Sequence, residues 1–206
     1  METGRSSPAG PDEKRGDRRD AILAAAAHLI SMHGVRGLRV EEIAADAGVS
    51  PPLLYYHFAS RQGLIRAALE RASERAPSAA LRDQVDGRDG YAAVEMALLA
   101  ELDEDPAVRD NAVVWGEVSA SAVFDQELRD DVRLVTETWS ATVAEGIRRG
   151  LSDGSIRPDV DPEQAAELLI TLVDGLCTRW LAGAMTLERA RELLIAALRK
   201  SLRNGR

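Results

Sequence analysis

The chain has 206 residues, of which 45% are apolar, enough to bury a sizeable core, and its single cysteine, Cys177, excludes an internal disulfide. No stretch approaches the roughly 20 apolar residues of a membrane span, and the opening METGRSSPAGPDEKRG lacks the apolar run of a secretory leader, so a cytoplasmic protein with no membrane partner is expected. The net charge of −8 weighs against a polyanionic partner, but residues 1–75 carry 11 Lys and Arg against 10 Asp and Glu, so this third approaches phosphate without strong repulsion.

Ala, Leu, Glu and Arg dominate and no β alternation occurs, so an all-α fold of about nine helices is expected. Residues 1–16, rich in Gly, Ser, Pro and mixed charge, read as a disordered tail, or as an arm whose Arg5, Lys14 and Arg15 touch DNA. Ile22, Ala26, Leu29, Ile30 and His33 keep helical spacing from about Asp17, and Gly34 stops that helix. A short helix from Val40 to Ala47 ends at Gly48. Ser50 is placed to cap a third, with Pro51 at its first position, running to Phe58. Ser60 is placed to cap a fourth, from Arg61 to about Arg75, and Pro77 and Ser78 mark a joint. Three domains are therefore expected: the tail, residues 17–75, and a helical domain over 76–206. The last should hold helices near 88–102, 106–123, 125–150, 162–181 and 187–202.

The segment from Val40 to Phe58 carries the functional reading. Ala44 is small where two helices cross closely, Gly48 sits where the turn wants a positive φ, and Ile43, Ala47, Val49 and Leu54 supply inner faces. The helix after the turn then presents its other face outward, as a helix-turn-helix does. Residues 17–75 resemble the DNA-binding domain of the TetR family of bacterial regulators, through IAADAGVSPPLLYYHFASRQGL. The resemblance implies that the third helix lies in the major groove of double-stranded DNA. Ser50, Pro51, Pro52 and Leu53 open that helix, and Tyr55, Tyr56 and His57 face the duplex with them. The Tyr55–His57 end and Arg61 would touch phosphates, and Arg39 is a further backbone candidate. Neither Pro51 nor Pro52 can hydrogen-bond a base edge, so reading should lean on thymine methyls, Tyr56 and DNA shape. Tyr55 is alternatively a core residue. None of the three histidines is expected to hold a metal, since His57 has no Cys partner and His28 and His33 sit on another helix.

So small a reader needs a second copy to read a palindromic operator, with half-sites about 34–36 Å apart. The stripes on the last two helices are the candidate homodimer interface: Leu168, Leu172, Leu176 and Trp180 on one, Leu187, Leu194 and Leu198 on the other. Ordinary intrachain core is the competing reading of both. The resemblance also implies an effector cavity inside the C-terminal helices, and Met96, Trp115, Phe124, Trp139, Asp174 and Cys177 are the expected wall. Glu117 or Asp174 is placed to read a cationic ligand. No HExxH, GxSxG, P-loop, GxGxxG or CxxC occurs, so neither an enzyme nor a cofactor is expected. The function implied is a DNA-binding repressor released by a small molecule; a helical interaction protein without DNA binding is the alternative.

Overall fold

A computed structural model describes residues 11–75, 81 and 89–203. These residues form nine helices and fall into two compact units, residues 1–68 and 69–206. The joint expected at Pro77 and Ser78, and residues 1–10 with Arg5, lie outside the described residues.

In the first unit α1 spans Pro11–Gly37, α2 Val40–Asp46 and α3 Pro51–Phe58, and α4, Arg61–Arg75, begins. The tail expected over 1–16 is corrected over 11–16, which are helical. The expected stop at Gly34 is a kink, φ 70°, after which the helix resumes to Gly37. Ile22, Leu23 and Ile30 of α1, Ile43 and Ala44 of α2, Leu54 of α3 and Leu64 and Ile65 of α4 are fully buried. Gly48 takes φ 64° in the turn between α2 and α3, a conformation that costs most other residues about 1 kcal/mol. There the Val49 N–H donates to the Ala44 carbonyl at 2.8 Å. Ser50 occupies the N-cap position of α3, but its side chain makes no capping bond. Ser60 does cap α4, accepting from the Gly63 N–H at 2.9 Å.

The second unit holds α5 (Gly90–Leu99), α6 (Pro106–Ala122), α7 (Gln126–Asp153), α8 (Pro162–Leu181) and α9 (Leu187–Leu202). Each starts on a side-chain cap: Asp89, Asp105, Asp125, Asp161 and Thr186 accept from N–H groups of the first turn. The long α7 packs against α5, α6 and α8, and α9 covers α8 and α5. The start of α5 lies directly on α7. A Cβ on Gly90 would stand 2.1 Å from the Gly150 nitrogen, so only glycine fits. The Gly90 N–H reaches Asp153 at 2.7 Å and the Tyr91 N–H reaches Ser155 at 3.0 Å. At the other end the Arg191 guanidinium of α9 donates to the carbonyls of Leu99 at 3.4 Å and Leu102 at 2.5 Å. Both ends of α5 are therefore pinned, which fixes the residues just beyond it.

Candidate DNA-facing surface and internal cavity

Helix α3 has eight residues and two faces. Leu54 and Phe58 point inward, and the guanidinium of Arg19 stacks 5.6 Å from the Phe58 ring centre. Outward stand Pro51 and Pro52, with Tyr55 47% and Tyr56 67% exposed; Leu53 and His57 are half-buried. The phenol ends of the two tyrosines suit a groove that is apolar in part and wet in part. The Tyr56 and His57 rings meet edge to face at 5.6 Å. After α3 the chain turns through Ala59 at φ 57°.

Arg61 takes a role not read from the sequence. Its guanidinium donates to the Leu38 carbonyl at 3.2 Å and to the Val35 carbonyl, bracing the connection between α1 and α2 against the start of α4. These two bonds occupy two of the five guanidinium N–H donors. Arg39 is exposed and forms a 3.6 Å ion pair with Glu42, a weak surface contact that leaves it accessible.

The second unit holds a cavity of about 90 Å³ that opens to solvent. Of the six expected wall residues, Trp115 of α6, Trp139 of α7 and Asp174 and Cys177 of α8 line it. Met96 and Phe124 do not, and are corrected. Met96 lies on α5 opposite the buried Val94 and Leu98, and Phe124, 78% exposed, follows the end of α6 where no helical face turns it inward. Glu117 is also absent from the wall. The sequence reading missed Glu101, Asn111 and Thr136. Leu98 and Leu102, three before and one after Glu101, are both fully buried and place it beside an apolar face, which the run ELDEDP does not reveal.

The wall carries two carboxyl groups, Glu101 and Asp174, beside the neutral polar residues Asn111, Thr136 and Thr178. Burial, then the nearby Asp174 charge, pushes the Glu101 carboxyl up to about 7. Burial likewise raises Asp174 to about 6, opposed by a hydrogen bond from Trp115. The Cys177 thiol, pushed up to about 12 by burial and by both carboxylates, stays neutral and donates to the Glu101 carbonyl at 3.5 Å. Among the described residues no group of three or more His, Cys, Asp or Glu is arranged to hold a metal, and no helix is long and apolar enough to cross a membrane.

The expected interface stripes divide. Leu176, Trp180, Leu194 and Leu198 are buried in the second unit's own core and are corrected to intrachain packing. Helical stripes this wide serve the core first, because burying each large side chain is worth about 1.5–3 kcal/mol. Leu172 and Leu187 pack partly against that core, and Leu168 is left 61% exposed on α8.

A helix-turn-helix unit joined to an all-helical unit with an internal cavity defines a ligand-responsive DNA-binding regulator. Residues 22–68 match the bacterial regulatory protein family tetR, and residues 91–203 match the BetI-type transcriptional repressor C-terminal domain. The chain belongs to the TetR family and carries a BetI-type C-terminal domain, and it is a DNA-binding transcriptional regulator. It is similar to a TetR-family regulator of Rhodococcus sp. of known structure, with 38% identity, a TM-score of 0.85, and 91% of this chain and 99% of that one covered. A Saccharomonospora viridis regulator, solved in complex with choline, is 26% identical with a TM-score of 0.76, covering 92% of this chain and 100% of that one. The regulator BetI of Cronobacter sakazakii is 28% identical over 90% of this chain and 91% of its own length.

Proposed function

We propose that the protein is a cytoplasmic homodimeric repressor that reads a palindromic operator through α3 and releases it when a small molecule fills the second unit's cavity. The observation that carries this is the two-faced α3: Leu54 buried, Tyr55 and Tyr56 exposed on a helix that the Gly48 turn projects. Base contacts come from the Pro51, Pro52, Leu53 and Tyr56 side, and Ser50, Tyr55, His57 and Arg39 serve the backbone. Arg61 braces this unit through two of its donors and serves the DNA backbone with the others. Leu168, on the outer face of α8, is the residue best exposed to meet a second copy, and Leu172 borders it.

Helix α4 contributes Leu64 and Ile65 to the first unit's core and Leu69 and Ala72 to the cavity wall. The ligand shifts DNA affinity only by its differential affinity for the two dimer shapes. The choline found in the Saccharomonospora viridis regulator supports a small organic effector. The test is the double variant Tyr55→Ala, Tyr56→Ala. It should keep helicity and assembly and lose binding to duplex DNA at low salt, whereas wild-type affinity in the variant overturns the reading.

A further inference from the structure

The cavity holds two carboxyl groups and no cationic side chain: no Lys, Arg or His is among the residues that line it. Asp174 has the Trp115 indole N–H as its hydrogen-bond partner. Glu101, half-buried on the same wall, accepts no hydrogen bond on its carboxyl from any described residue. Its position is not slack, since Arg191 holds the Leu99 and Leu102 carbonyls and Cys177 holds Glu101's own. Two side chains thus fix the backbone around a carboxyl that no protein donor meets. A desolvated carboxylate without a donor is expensive, and a fold keeps one where a ligand supplies the missing partner.

We infer that the ligand of this cavity is a protonated amine with an apolar body, its N–H groups donating to Glu101 and Asp174 and its body lying along Trp139, Val135 and Ile170. This rests on the reading of the cavity as the effector site. The alternatives fail on charge or on hydrogen bonding. An anion meets two carboxylates and no cation. A neutral alcohol offers one donor and compensates no charge. A quaternary ammonium brings charge and a good fit to tryptophan faces, but no N–H, so Glu101 stays without a donor. The Trp115 indole is already turned to Asp174 by its N–H, which leaves Trp139 as the freer ring.

The test uses the full chain and calorimetric titration with matched sets of ligands: 2-phenylethylamine, cyclohexylmethylamine and octylamine, each beside its trimethylammonium, alcohol and carboxylate counterparts. At least one amine should bind roughly tenfold or more tighter than every counterpart on the same frame. Glu101→Gln, which keeps the side-chain volume, should weaken that amine at least tenfold while leaving the alcohol's affinity unchanged. Asp174→Asn should act in the same direction, with an unchanged circular dichroism spectrum as the control for folding. Strongest binding by an alcohol, a carboxylate or a trimethylammonium compound overturns the inference, as does wild-type amine affinity in both variants or no amine binding at all. The same amine is then added to the protein bound to a duplex enriched from a random pool. Binding without DNA release overturns the effector reading and leaves the amine assignment intact. Release by a neutral compound that competes for the cavity does the reverse.

Discussion

Glu101→Gln should make the protein more stable, and by an amount that depends on pH. Burial and the Asp174 charge lift the Glu101 carboxyl from 4.5 to about 7, so between those values the native state holds a proton that the unfolded chain has released. Native stability therefore falls as pH rises through this window, and the full penalty is present above about 7. A lift of this size is worth about 3 kcal/mol at roughly 1.4 kcal/mol per tenfold change in the proton equilibrium. Glutamine has the shape of the protonated acid and bears no charge, so the variant escapes the penalty. At pH 8 it should exceed wild type by about 3 kcal/mol, raising the melting midpoint by roughly 6–12 °C, and at pH 5 by under about 1 kcal/mol. Trp115, Trp139 and Trp180 are the chain's three tryptophans and all lie in the second unit, so thermal unfolding followed by tryptophan emission reports on the unit concerned. A variant less stable than wild type at pH 8, or an advantage that does not grow from pH 5 to pH 8, would refute the claim that this carboxyl is desolvated and unpaired.

Three further changes probe other parts of the account. Leu54→Ala removes a fully buried side chain from the first unit and should cost about 2–5 kcal/mol, read by hydrogen exchange over residues 22–65, while Tyr56→Ala should leave that exchange unchanged. Arg61→Ala should destabilise the same unit by about 1–3 kcal/mol through the two carbonyls it leaves unanswered, and Arg61→Lys should not restore it, because a point charge cannot serve both; equal exchange in all three proteins would leave Arg61 the phosphate role alone. Leu168→Glu should yield monomers in sedimentation with unchanged helicity and loss of DNA binding, and an intact dimer would move the interface elsewhere.

The reader was legible because its information is local. Gly48 fixes the turn, Pro51 starts α3, and the spacing of Leu54 and Phe58 decides which face is left for Tyr55 and Tyr56, all within a few residues of one another. The caps at Asp161 and Ser60 were readable for the same reason. The cavity is assembled from α4, α6, α7, α8 and the turn after α5, and its lining depends on how each helix is rotated in the packing. Trp115 and Trp139 were found because large aromatics in a helical half tend inward, a rule that failed for Phe124 at a helix end. Glu101 escaped because ELDEDP reads as a solvated acidic loop, and only the packing of Leu98 and Leu102 turns it inward. The α8 and α9 stripes showed that these helices bury apolar faces without showing whose core they enter. Leu176, Trp180, Leu194 and Leu198 enter their own.

Selection of bound sites from random duplex DNA by the full-length protein tests the central claim most directly. The account predicts an enriched palindrome whose half-sites lie about one helical turn, 34–36 Å, apart, and no enrichment with Tyr55→Ala, Tyr56→Ala. No enriched sequence, or a site without two-fold symmetry, would contradict it.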